Sequence, residues 1–182
     1  MKMSMSRRYR LLALMLAPLT LSSVQASEKT QLFEDINQRL LWMKDVAGYK
    51  AANHQPIEDL QQEARVSALT LSQAGKMKLQ PQSVKPFIVA QMNAAKAIQY
   101  RYRADWLAQP EEKWTPLPLN VVREKISQAG VHTLQHLAQM LQDGITIDEA
   151  DRRTFNMLVS PHNLTDADKA LIFDALKAVS LK

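Results

Sequence analysis

The sequence predicts an all-α domain, a bundle of about six helices. Two observations carry this. Apolar residues recur at offsets of three and four through most of the chain, and no run alternates in the manner of a half-buried strand. Glycine is scarce, with 4 in 182 residues, and two of the four, Gly75 and Gly144, sit where helices are expected to stop. The length suits one domain with a substantial core.

The first 26 residues read as a cleaved signal peptide. Lys2, Arg7, Arg8 and Arg10 form a basic end, Leu11 to Leu21 an apolar run, and Val24-Gln25-Ala26 a small-residue cleavage site. The run is too short for a permanent span, so no membrane association is expected after cleavage. The expected location is the periplasm or the exterior. Four of the 23 Lys and Arg precede Ser27 and none of the 18 Asp and Glu do, so the mature chain is near neutral, about +1. A basic surface for nucleic acid is therefore not expected. There is no cysteine, which excludes disulfides, a thiol nucleophile and a Cys-based metal site.

The first helix is expected over Lys29–Ala52. Ile36, Leu40, Met43 and Ala47 share its apolar face, with Arg39 and Lys50 at the edge. These two cations are eleven residues apart, close to three turns, and so point the same way about 16 Å apart. Such a pair suits a small dianion, although cations with buried stems and solvated heads also line apolar stripes. Asp45 falls on the opposite, solvated side.

Asn53-His54-Gln55 breaks the chain. Pro56 suits the first turn of a second helix, with Glu58 and Asp59 complementing its dipole. Ile57, Leu60, Ala64, Ala68 and Leu71 form its expected buried face, and Gly75 its stop. A third helix is expected from about Ser83 to Ala108. Its broad face runs through Val84, Phe87, Ile88, Met92, Ala95, Ile98, Gln99, Tyr102 and Trp106. Gln99 is the polar member of that face, either a core hydrogen-bonder or a ligand contact.

QPEEKWTPLP, residues 109–118, reads as a Pro-rich linker. It separates a three-helix half (27–108) from a C-terminal helical half (119–182) of the same domain. Asn120 is the expected cap of a fourth helix ending near Gln142, with Arg123 in its first turn. Thr146–Glu149 and Thr165–Asp168 resemble capping boxes opening two more helices. His132 and His136 stand at i, i+4 without the Glu of HExxH or a visible third ligand, so no metal is expected. Neither a GxSxG elbow nor a phosphate loop is present. An enzyme here would work by binding and electrostatics.

INQRLLWMKDVAGYK (Ile36–Lys50), PIED (Pro56–Asp59) and NAAKAIQYRYRADW (Asn93–Trp106) together resemble the exported, gamma-subclass, all-helical chorismate mutases. The resemblance covers essentially the whole mature chain and implies a chorismate mutase II-like bundle. It implies isomerisation of chorismate to prephenate without a cofactor, and a homodimer. It also assigns roles: Arg39 and Arg123 to substrate carboxylates, Lys50 to a carboxylate and the ether oxygen, Gln99 to that oxygen, and Asp59 and Glu63 to the ring hydroxyl.

Two positions depart from the family pattern. Gln62 stands where the family has Arg, and Ala95 where it usually has Ser or Thr. Arg65, one turn beyond Gln62, is the candidate to reach back. The departure at Gln62 leaves an alternative, a catalytically impaired homologue acting as a small-anion binding or interaction protein. An unrelated helical periplasmic binding protein is the third reading.

Overall fold

The computed structural model describes the backbone of residues 18–182 and side chains from residue 26 onward. The basic end of the leader and the start of its apolar run lie outside the described residues. Seven α-helices follow in order: α1 (Pro18–Leu41), α2 (Met43–Ala52), α3 (Leu60–Lys76), α4 (Pro81–Ala108), α5 (Leu119–Gln142), α6 (Arg152–Leu158) and α7 (Asp166–Lys177). Among the described residues there is no strand, only an isolated bridge between Leu79 and Leu181.

The expected first helix is two helices. They part at Trp42, which keeps helical φ and ψ of −70° and −6°. Val46 N still donates to Trp42 O at 3.1 Å, so the axis is hardly interrupted. The face foreseen from spacing is preserved: Ile36, Leu40, Met43 and Ala47 are all buried. The helix also starts earlier than Lys29, because no Gly or Pro intervenes between Pro18 and Leu41.

The second helix departs more from expectation. Pro56 is not in its first turn; residues 53–59 form a loop and Asp59 is the cap, accepting from Gln62 N at 3.0 Å. The expected buried face is also rotated. Leu60 is 72% exposed, and Ala64 and Ala68 face solvent too, while Val66, Thr70 and Gln73 are half-buried and Ala74 is fully buried. The cause lies at the N-terminus, where Glu63 Oε2 binds Lys96 of α4 at 3.0 Å and turns the Gln62–Val66 side inward.

Two further caps differ. Asn120 lies inside α5, whose flanking residue is Pro118 with Leu119 as first helical residue. The box at Thr146 is instead Asp148 with Asp151, opening a 3₁₀ turn at Glu149–Asp151. Ile145 and Ile147 are both buried, which holds that segment extended and leaves Asp148 as the first residue free to cap. The Thr165–Asp168 capping box is present as expected.

α1 packs along α5, α2 against α4, and α3 against both α4 and α5, while α7 covers the other side of α4. Phe33 meets Phe155 edge-to-face and Phe155 meets Phe173 at a tilt, both with 5.2 Å centroid spacings, tying α1, α6 and α7 into one core. α1 through α5 thus surround a common interior, and the C-terminal helices buttress it from behind.

Residues 109–118 are strapped down rather than free. Trp114 stacks on Trp106 at 5.7 Å, Lys44 lies over the Trp114 ring at 4.5 Å and binds Glu111 at 2.7 Å. Asp45, expected to be merely solvated, accepts from Leu117 N at 2.9 Å. The close approach needs Gly48, where a Cβ would meet the Trp114 ring at 2.6 Å. This strap sets where α5 begins and hence where Arg123 stands. Gly48→Ala is expected to displace Trp114 and cost about 1–3 kcal/mol, read as a lower midpoint in denaturant unfolding. An unchanged midpoint would show that the strap does not depend on this approach.

Candidate functional site

One cavity of about 140 Å³ lies between α2, α3, α4 and α5, with the end of α1 at its edge. Arg39, Lys50, Asp59 and Gln62 line it, and so do Glu63, Ala95, Gln99 and Arg123. All eight site residues expected from the sequence therefore meet in one place. Met43, Val46, Ile57, Met92 and Leu119 provide apolar walls.

Arg39 ends α1. Its Nη1 is shut off from solvent and has no hydrogen-bond partner. Burial pulls its pKa down to about 10, with no neighbouring carboxylate to offset the loss of water. Lys50 ends α2 and is 6% exposed. Its Nζ donates to Ile57 O at 2.5 Å, which fixes the ammonium and leaves two N–H groups. Burial lowers its pKa below 10.5; Asp59 and Glu63 pull it back, while Arg123 and Arg103 push it further down. The region is thus a concentration of positive charge with too little water around it.

Gln99 is buried at 5% exposure, as its place on α4 foretold. Its Nε2 donates to Ala95 O at 3.0 Å and to Met43 Sδ at 3.6 Å, while its Oε1 has no partner. Sulfur is a weak acceptor, so the second hydrogen is readily transferred to an oxygen guest. Ala95 contributes its carbonyl to this bond and its methyl to the wall.

The acidic side is internally held. Asp59 caps α3 and receives Arg123 Nη2 at 3.5 Å. Glu63 accepts from Asp59 N at 3.3 Å and from Lys96. Lys96 was not foreseen; it stands within the NAAKAIQ stretch, one residue after Ala95, and only its bridge to Glu63 reveals its part.

Gln62 is half-buried. Arg65, itself exposed, donates from Nη2 to Gln62 Oε1 at 2.9 Å. A guanidinium has only donors, so the amide carbonyl must face Arg65 and Nε2 is left free of it. Arg65 does not line the cavity; it reaches back as far as Gln62. The two histidines do not converge. His132 is exposed and His136 Nδ1 pairs with Asp35 at 2.5 Å, joining α5 to α1. Among the described residues no group of three or more His, Asp or Glu is placed to hold a metal ion.

An all-helical pocket with apolar walls, a buried ammonium at Lys50 and an unpartnered guanidinium nitrogen at Arg39 suits a small carboxylate-bearing molecule. Residues 30–100 match the family described as chorismate mutase type II. The secreted chorismate mutase of Yersinia pestis is 48% identical over 160 residues, covering 88% of this chain and 86% of that protein. The monofunctional chorismate mutase of Enterobacter agglomerans is 40% identical over 157 residues, 86% of each. The crystal structure of the Yersinia protein superposes with a TM-score of 0.79, covering 84% of this chain and 98% of that one. The chain belongs to the all-helical, type II chorismate mutase family. The chorismate mutase of Burkholderia phymatum, 21% identical with a TM-score of 0.67 over 87% of this chain and 99% of that one, shares the fold.

The charge balance has a measurable sign. Lys50 is held below 10.5 by burial, and a carboxylate guest restores the charged form, so ligand must raise its pKa. Nuclear magnetic resonance of the Lys50 ammonium is expected to show a titration below 10.5 in the free protein and an upward move when a dicarboxylate is added. A free-protein value at or above 10.5 would contradict the burial argument.

Proposed function

We propose that the protein is an exported chorismate mutase, converting chorismate to prephenate. The single observation that carries this is the meeting of Arg39, Lys50, Gln99 and Arg123 in one apolar-walled cavity with Arg39 Nη1 unpartnered. Membership of the family supplies the reaction. The chorismate ether C–O bond breaks as a C–C bond forms to the ring; electrons move in a cycle, and no proton or nucleophile is required.

The side chains then have two tasks. One is to hold the extended substrate in the compact, reactive geometry. Arg39 binds one carboxylate from the interior. Arg123, more exposed, binds a carboxylate from the mouth. The second task is to stabilise the negative charge that grows on the ether oxygen. Lys50 donates one of its two remaining N–H groups there while also touching a carboxylate. Gln99 gives up Met43 Sδ for the same oxygen. Asp59 and Glu63, fixed by Arg123 and Lys96, accept from the ring hydroxyl.

Gln62 occupies the family's Arg position without its charge. The Arg65 contact supports a partial replacement: the amide is oriented and polarised by a guanidinium one turn away. The catalytically impaired alternative is not favoured, given 48% and 40% identity to two proteins named as mutases. The signal-like N-terminus supports export, and the Yersinia relative is itself described as secreted. Among the described residues no helix is long and apolar enough to cross a membrane.

Loss of chorismate absorbance with the purified mature protein tests the activity directly. Turnover well above the uncatalysed rate is expected, and Lys50→Ala should lower kcat/KM by about 10²–10³. No rate above background would end the proposal. Arg65→Ala should reduce turnover in the native chain but not in a Gln62→Arg background, where kcat/KM should rise. Equal effects in both backgrounds would separate Arg65 from Gln62.

We also propose that the chain pairs with a second copy. The support is the strip Leu60, Ala64 and Ala68, apolar at helical spacing yet left to solvent by its own chain. Sedimentation velocity should give a dimer that Leu60→Lys shifts toward monomer. A monomer at all concentrations would refute the pairing.

A further inference from the structure

A second, more enclosed cavity of about 200 Å³ lies beside the first, between α1, α3, α4 and α5. It shares Arg39, Gln62, Val66, Arg123 and Ile126 with the candidate site, so the two are neighbours with a common wall. Its remaining lining is different. Phe87, Ile88, Val131 and Leu134 make it largely apolar. Gln91 also lines it, is 6% exposed, and leaves Oε1 without a partner.

Two buried polar atoms of opposite sense therefore go unanswered around this space: the cationic donor Arg39 Nη1 and the acceptor Gln91 Oε1. Buried polar atoms ordinarily have partners. Neither atom finds one in the chain, and an apolar molecule alone would answer neither. The size is informative as well, since an aliphatic cavity of roughly 150 Å³ accepts benzene. The extra volume here suffices for a carboxylate and a hydroxyl on such a ring.

We infer that this inner cavity is a second small-molecule site, taking a ring-sized monocarboxylate that also carries a hydrogen-bond donor. The carboxylate meets Arg39, the donor meets Gln91 Oε1, and the ring lies against Phe87 and Leu134. The occupant draws on the positive charge of Arg39 from behind, which weakens the hold on a dianion in the front cavity. Its effect on turnover is a raised KM that levels off once the inner cavity is filled, with kcat unchanged. That effect rests on the proposed mutase activity, whereas binding does not.

Gly130 provides a clean way to close the space. It lines the inner cavity only, and a Cβ built there meets nothing within 4 Å. Replacing a helical glycine also favours the folded state. Gln91→Leu removes the orphaned acceptor while keeping the volume, which likewise should not harm folding.

The probe is 4-hydroxybenzoate, followed by calorimetric titration into the mature protein, with benzoate as the analogue lacking the donor. One equivalent is expected to bind. Benzoate should bind about tenfold more weakly, Gln91→Leu should remove that difference, and Gly130→Leu should abolish binding. Both variants should turn over chorismate like the native chain and resist inhibition by the probe. Absence of binding would overturn the inference. So would binding that persists unchanged in both variants, or a KM that climbs without limit as probe is added, since either places the probe in the front cavity. Because the titration involves no turnover, its outcome stands whether or not the mutase reading holds.

Discussion

A half-buried guanidinium, its Nη1 sealed from solvent and without a counter-charge, is the constraint around which this molecule is arranged. Arg39 loses water and gains no carboxylate, and its pKa falls to about 10 as a result. An isolated buried charge is among the most costly features a fold can carry. The neighbouring Lys50 adds a second desolvated cation, tethered to Ile57 O. The chain has two carboxylates close by, Asp59 and Glu63, yet both are engaged with Arg123 and Lys96. The acids are thereby kept from neutralising Arg39. In the proposed function a doubly anionic guest is the missing partner, and the reaction requires only that such a guest be folded and its ether oxygen met by donors.

The fold supplies this arrangement through local devices. The near-continuous α1–α2 axis keeps Arg39 and Lys50 on one side across the junction at Trp42. The Asp59 cap and the Glu63–Lys96 bridge rotate α3 so that Gln62 and Val66 face inward. The strap through Trp114, seated on Gly48, delivers α5 with Arg123 in its first turns. The aromatic chain from Phe33 to Phe173 holds these helices from behind without entering the site.

Much of this was legible in the sequence where one helix carries the whole signal. The spacing of Arg39 and Lys50 follows from helical geometry alone, and Gln99 stood out because every neighbour on its face is apolar. The resemblance to the mutases then gathered Asp59, Gln62, Glu63, Ala95 and Arg123, which spacing could not have joined. What failed was whatever depends on a second element. The inward face of α3 is chosen by a bridge to α4, not by its own leucines and alanines, so Leu60 and Ala68 were misplaced. The caps at Asn120 and Thr146 were displaced by Pro118 and by the burial of Ile145 and Ile147. Lys96 and the Arg65–Gln62 contact are pairings in space that no periodicity announces.

The most direct measurement is the equilibrium stability of Arg39→Met in the absence of any ligand. If Arg39 is a charge held ready for a guest, removing it relieves an uncompensated burial. The variant should then unfold at the same or a higher denaturant concentration than the native chain, and ligand should no longer stabilise it. A loss of about 3–5 kcal/mol, the cost of breaking a buried ion pair, would show instead that Arg39 is bonded within the fold and would contradict the account.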